Sequence, residues 1–428
     1  MEFSWLHAVV AFNTAVCLLH FYLDKRQQRA LRRPKPHPAV AHLYSDAEYE
    51  KKRAYNLAKL QFASVQNLWD GALTAAMLLA GFLPATWRLA GMLLARWGDG
   101  RPWLQGEVAQ SVVWVLIQAA VSLALSLPWS AISTFQLEAR HGFNKTRPAT
   151  FVTDKLKGVL LGLIFLPPII AAFTAILQRS SPYVGLYLWA FLLGVQLFVV
   201  TVYPTVIAPL FNTYTPLPDG PLKAAIEQLA ASLAFPLKKL FVVDGSRRSA
   251  HSNAYMYGFG GNKRICLYDT LIDQASQEQV VAVLAHELGH WKLSHMPKLL
   301  AATSTVSLAQ LLLFTAVRTS SGVFEDFGFP PGVRPALAGF LLFQQLIGPV
   351  DEVLGLLSNL VSRTFEFQAD AFAASCGKAE DLKGALLVLD KENKGALASD
   401  PLYSAYHHSH PPLIERLAAL DAASKKAE

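Results

Sequence analysis

Cysteine is scarce in this chain of 428 residues: Cys17, Cys266 and Cys376 are the only three, too few and too scattered for a disulfide scaffold. Charge is scarce as well. Lys, Arg, Asp and Glu make up 16% of the chain, against 53% hydrophobic residues, whereas a soluble domain is about a quarter charged. That balance excludes a disordered chain, which has too little apolar surface to offset its ordering entropy. Internal repeats and low-complexity tracts are also missing, which removes solenoids and interaction tails. The formal net charge of +7 raises the question of nucleic acid. Its distribution follows membrane topology instead, so no nucleic-acid partner is expected.

What the sequence does have is long uncharged apolar runs. A hydrocarbon core of about 30 Å needs about 20 helical residues to cross it. Runs at 3–23, 71–87 (starting near Leu68, with Asp70 at its edge), 108–137, 158–178, 186–203 and 299–317 each suit a span. A weaker run at 335–350, followed by Asp351 and Glu352, is read as a seventh that continues toward Leu360. Pro167 and Pro168 sit inside the fourth run, where neighbouring helices can satisfy the freed backbone. The first run lacks a basic leading region and a small-residue cleavage site, so it reads as an anchor rather than a signal peptide.

Lys and Arg counts in successive connections give the orientation. Segment 24–67 carries ten, 84–107 three, 138–157 five, 178–185 one and 318–336 two. Basic connections are cytosolic, which places the N-terminus in the lumen and, after seven crossings, the C-terminus in the cytosol. The chain then divides into a membrane region 1–218, a polar segment 219–298, a transmembrane hairpin 299–362 and a polar segment 363–428. Both polar segments fall on the cytosolic face and can form one domain. Within them, 240–243 and 265–268 read as short strands, and 277–294, 363–376 and 412–422 as helices.

The chemistry is concentrated in His286-Glu287-Leu288-Gly289-His290, inside the helical run at 277–294. Histidines four apart lie one turn from each other on one helix face, so both imidazoles reach one ion, and the Glu between them can take a proton from an attacking water. A catalytic zinc, one per subunit, needs a third protein ligand and one open position. Candidates are His295, Glu366, Asp370, His407, His408 and His410. Glu366 is preferred, because it follows the seventh span on the same face as the His pair. Asp370, one turn on, is placed to support a ligand by accepting a ring N–H. His295, five positions past His290, reads as a surface or chamber-wall residue, and His407 and His408 as ordinary polar residues. His410 and Arg416 are candidate donors to the developing oxyanion. The stretch 251–257 alternates like an exposed strand that could pair with an extended substrate, with Asn253 and Ala254 at the contact.

With these residues in hand, the chain resembles the type I CaaX prenyl proteases, integral-membrane zinc metalloproteases of the endoplasmic reticulum. The likeness spans nearly the whole chain. It rests on the zinc motif and on Tyr22-Leu23-Asp24-Lys25-Arg26-Gln27, Glu138-Ala139-Arg140-His141-Gly142-Phe143-Asn144-Lys145, Pro209-Leu210-Phe211-Asn212, the stretch 251–259, and Asp400-Pro401-Leu402-Tyr403 leading to His410. The least family-like position is His408, where an aromatic residue is expected. The resemblance implies a mainly α fold: seven transmembrane helices around a hydrated intramembrane chamber, with a small cytosolic α+β zinc protease domain of gluzincin type. It implies His286, His290 and Glu366 as metal ligands, Glu287 as base, Asp370 in support or as proton donor, and His410 and Arg416 near the scissile carbonyl. The implied partners are the lipid bilayer and prenylated CaaX proteins, which lose their last three residues.

Residue spacing alone gives a cytosol-facing zinc hydrolase; the prenyl substrate comes only from the resemblance. Lys425-Lys426-Ala427-Glu428 resembles a di-lysine retrieval signal of endoplasmic reticulum membrane proteins. Two rival readings exist: a quality-control protease for unprenylated membrane proteins, and a catalytically silent scaffold or channel. The first leaves the first two hundred residues without a role, and the intact set Glu287, Glu366 and Asp370 speaks against the second.

Overall fold

The structure is a computed structural model describing residues 3–98, 100–258, 260–318 and 322–427, with the side chains of residues 39 and 424–427 excepted. The side chains of Lys425 and Lys426, and Glu428 altogether, therefore lie outside the described residues, as does Phe259.

Five helices are each long and apolar enough to cross a membrane: Trp5–Leu31, Gly106–Glu138, Pro148–Leu177, Val184–Leu210 and His295–Val317. Two bent pairs are candidates for further crossings. Asp46–Leu79 meets Phe82–Trp97 at 65°, and Ala336–Leu346 meets Gly348–Ser375 at 60°. Counting each pair once gives up to seven crossings. The bends correct two of the expected spans. The run at 71–87 straddles the first break, where Gly81 takes a left-handed φ of 65° that a side-chain-bearing residue adopts only with strain. The run toward Leu360 straddles the second break, at Ile347 and Gly348. Asp351 and Glu352 lie just past that break, inside a helix. Asp351 accepts from Gln310 Nε2 at 2.7 Å, and Glu352 accepts from Tyr406 Oη and faces His20 at 3.3 Å.

The basic segment 24–67 is not a loop either. The first helix runs on to Leu31, a single helical turn covers Pro38–Ala41, and the next long helix starts at Asp46. Its start is fixed by a reciprocal cap in which Ser45 Oγ accepts from Glu48 N and Glu48 Oε2 from Ser45 N, satisfying two donors that a helix start leaves free.

The protease part is built on a four-stranded sheet in the order β1-β2-β4-β3, with β1 (Tyr214–Pro216), β2 (Leu237–Val243), β3 (Ala254–Tyr257) and β4 (Lys263–Tyr268). β2 and β4 run parallel, β1 pairs antiparallel with β2, and β3 pairs antiparallel with β4. β3 is thus an edge strand, but it covers only 254–257 of the stretch expected at 251–257, and its residues are buried or half-buried rather than exposed. Leu240, Ile265, Leu267, Leu271, Leu284 and Leu288 pack into one buried cluster between the sheet and the helix Gln277–Lys292. That motif helix opens with a second reciprocal cap, Ser276 with Gln279.

The family-like blocks turn out to be joints between the membrane helices and the protease part. Arg26 grips Asp400 through Nε and Nη2, both at 3.0 Å. Arg248 holds Asp154 with two donors and Asn212 with a third. The His251 ring stacks on Phe143 with centroids 4.2 Å apart, and Asn144 bridges to Ser249.

Candidate metal centre

The site is assembled by two helices that cross closely. The motif helix presents His286 and His290, and the helix Gly348–Ser375 presents Glu366 and Asp370. The crossing needs Gly289: a Cβ there would stand 3.2 Å from Ala369 Cα and 3.1 Å from Phe372 Cδ1, tighter than side chains tolerate without a shift.

Three ligand atoms converge. His286 Nε2 lies 3.2 Å from His290 Nε2 and 3.6 Å from Glu366 Oε2, and His290 Nε2 lies 3.3 Å from Glu366 Oε1. Bonds of about 2.0–2.1 Å to a tetrahedral zinc place its ligands about 3.3–3.4 Å apart, so the set matches a shared ion without rearrangement. The other ring nitrogens are already engaged. His286 Nδ1 is 2.8 Å from Asp370 Oδ1, and His290 Nδ1 is 2.9 Å from His295 Nδ1. Both Nε2 atoms therefore face one another and a carboxylate, an arrangement that a cation between them satisfies. Glu366 Oε2 is buried without a hydrogen-bond donor in line, although His410 Nδ1 comes within 2.8 Å of it.

Glu287 is half-buried beside the His pair, and its carboxylate makes no hydrogen bond among the described residues. Burial pushes its carboxyl above the ordinary glutamate range, against the pull of His286 and His290. The Glu366 carboxylate beside His410 pushes that imidazole up. Asp370 is 1% exposed and carries Arg416 as well as His286. Arg416 Nε donates to Oδ2 at 2.8 Å and Nη2 to Oδ1 at 2.6 Å, leaving Nη1 3.7 Å from Glu366 Oε2. Ala254 opens β3, and its N–H is taken up locally by Asn253 Oδ1 at 2.8 Å.

His295 is not a surface residue. It is 2% exposed and stacks on Phe365 with centroids 4.1 Å apart and planes 2° from parallel. Helical spacing misplaces it because the motif helix ends at Lys292 and Ser294 turns left-handed, with φ 57°, before the next helix. Gln368, which hydrogen-bonds to His295, carried no signal in the sequence. His408 Nδ1 is 3.3 Å from Ser404 Oγ, and His407 packs against His20, Tyr403 and Tyr406.

A family model described as the CAAX prenyl protease N-terminal region with five membrane helices matches residues 27–213, and one for peptidase family M48 matches residues 216–424. The CAAX prenyl protease 1 homolog of Arabidopsis thaliana is 46% identical, with all of both chains covered. The chain belongs to the CAAX prenyl protease 1 family. Within that family the Homo sapiens homolog is 39% identical over 96% of this chain and 94% of its own length. The Saccharomyces cerevisiae protein is 35% identical over 99% and 96%. The crystal structure of S. mikatae Ste24p superposes with a TM-score of 0.92 at 35% identity, covering 98% of this chain and 100% of that one. Family membership makes this chain a multi-pass membrane protease of a metal-dependent peptidase family, with the mainly α fold and small sheet expected.

Proposed function

We propose that the chain cleaves the last three residues from prenylated CaaX proteins with one zinc ion held by His286, His290 and Glu366. The observation that carries the metal assignment is the triangle of donor atoms at 3.2–3.6 Å, the spacing of three ligands on a tetrahedral ion with one position free. The names of the relatives carry the substrate class. Zinc, when bound, acts as a Lewis acid on the scissile carbonyl and brings water deprotonation near neutral pH.

The chain's own residues do the rest. Glu287 takes the proton of the attacking water on its carboxylate and returns it to the leaving amine. His410 is exposed at the mouth of the site and keeps its second ring nitrogen available as a donor to the substrate carbonyl. Asp370, clamped by Arg416, holds the His286 ring so that Nε2 faces the ion. The edge strand β3 accepts the extended substrate backbone next to Asn253 and Ala254. We further propose, from the family resemblance, an endoplasmic reticulum location, with the protease part cytosolic and the N-terminus lumenal on the asymmetry of Lys and Arg between connections.

The test is a paired assay with a farnesylated CaaX peptide and its unprenylated twin, each with and without a chelator. Cleavage confined to the farnesylated peptide and lost on chelation is expected. Equal cleavage of both peptides favours the quality-control reading instead.

A further inference from the structure

We propose that His295 and Gln368 are positioning residues that fix the proton tautomer and ring angle of His290, an inference that rests on the zinc reading above. The contacts form a line. His290 Nε2 faces the other two ligand atoms, its Nδ1 lies 2.9 Å from His295 Nδ1, and His295 Nε2 lies 2.9 Å from Gln368 Oε1.

An amide oxygen can only accept, so His295 Nε2 must carry its proton toward Gln368. In the neutral ring His295 Nδ1 then has only a lone pair to offer, which obliges His290 Nδ1 to hold the proton between them. That in turn leaves His290 Nε2 bare, the state a metal ligand requires. Reversing the amide would reverse every proton in the line and put a hydrogen where the ion belongs. Phe365 holds the His295 ring from its face, so the line has a fixed plane as well as a fixed direction.

The two ligand histidines are thus oriented by opposite means. His286 leans on a buried carboxylate clamped by Arg416, and His290 on a neutral imidazole that ends in an exposed amide. Phe365, Glu366, Gln368 and Asp370 all lie within six residues of one helix. A single short segment therefore supplies one ligand and the outer support for both others. Loss of such support commonly lowers metal affinity about 10–100-fold.

The test measures how fast the purified full-length protein loses zinc to a chelator, with three variants. His295→Phe keeps the ring stack and removes the acceptor; zinc loss about 10-fold faster than wild type is expected. His295→Gln removes the ring and keeps an acceptor oxygen, so it should hold zinc longer than His295→Phe. A packing role predicts the reverse order, and that order would overturn the proposal. Gln368→Leu changes an exposed residue, and it should also speed zinc loss; wild-type retention in this variant would overturn the proposal too. Wild-type protein that binds no zinc would instead remove the reading on which the proposal rests.

Discussion

Arg416 meets Asp370 through two parallel hydrogen bonds, Nε to Oδ2 at 2.8 Å and Nη2 to Oδ1 at 2.6 Å. Asp370 Oδ1 is also the atom that holds His286 Nδ1. A fork of this kind fixes the plane of the carboxylate, and through it the plane of the imidazole. The guanidinium therefore acts on the ligand His286 from behind, through Asp370. Lysine supplies the charge without the fork. Arg416→Lys should keep the fold but weaken zinc binding about 10-fold, measured by competition with a chromogenic chelator. Arg416→Ala should do more harm, because it leaves a carboxylate that is 1% exposed with a single histidine for company, a loss of about 3 kcal/mol in stability.

Glu287 shares the helix with both histidines, yet its carboxylate makes no side-chain hydrogen bond among the described residues, which leaves it free to exchange protons. Glu287→Gln preserves shape and removes the basic oxygen. Purified variant should contain zinc at the wild-type ratio by elemental analysis, while turnover of a farnesylated peptide falls by at least about 1000-fold. Near-wild-type cleavage by this variant would end the proposed mechanism.

The motif at 286–290 was legible because its chemistry is local: a helix repeats every 3.6 residues, so spacing alone sets the two imidazoles side by side. Glu366 was legible through topology, since an even number of crossings returns the chain to the same face. Three features were not. The bends at Gly81 and Ile347 leave the apolar run unbroken, and hydropathy has no direction in it. His295 is carried back to His290 by one left-handed residue, Ser294, and a helical wheel assumes that no such residue intervenes. The pairing of Arg26 with Asp400 joins residues 374 positions apart, and single-sequence reasoning has no term for contacts of that range.

That pairing has a functional consequence. Asp400 caps the helix Pro401–His407 by accepting from Leu402 N and Tyr403 N, both at 3.1 Å, and that helix leads directly to His410. Gln27 adds a backbone pair, accepting from Asp400 N at 2.7 Å and donating to Ala398 O at 3.1 Å. The first membrane helix therefore holds the segment that carries His410. Arg26→Ala should lower kcat/KM for the farnesylated peptide about 10-fold with zinc content unchanged, since no ligand residue is touched. Asp400→Ala, which removes the cap as well as the ion pair, should be worse in both activity and stability.

A second joint is buried. Lys52 and Asp390 form an ion pair in which their side chains are 4% and 9% exposed, and Tyr44 Oη donates to the same carboxylate at 2.7 Å. Lys52 also donates to the Asp390 carbonyl, so the ammonium is well satisfied despite its burial. Breaking one side of such a pair strands the other charge in a low-dielectric setting, at a cost of about 3–5 kcal/mol. Replacing both with apolar residues of similar size removes both desolvation terms. Lys52→Met should therefore lower the unfolding midpoint of the detergent-solubilised protein markedly, and the double variant Lys52→Met with Asp390→Leu should recover much of it. Recovery would show that the pair serves to align this helix on the protease part rather than to hold it there. A double variant as unstable as Lys52→Met alone would mean that Tyr44 and the Asp390 backbone contact depend on the charges, and that the joint works only as an ionic one.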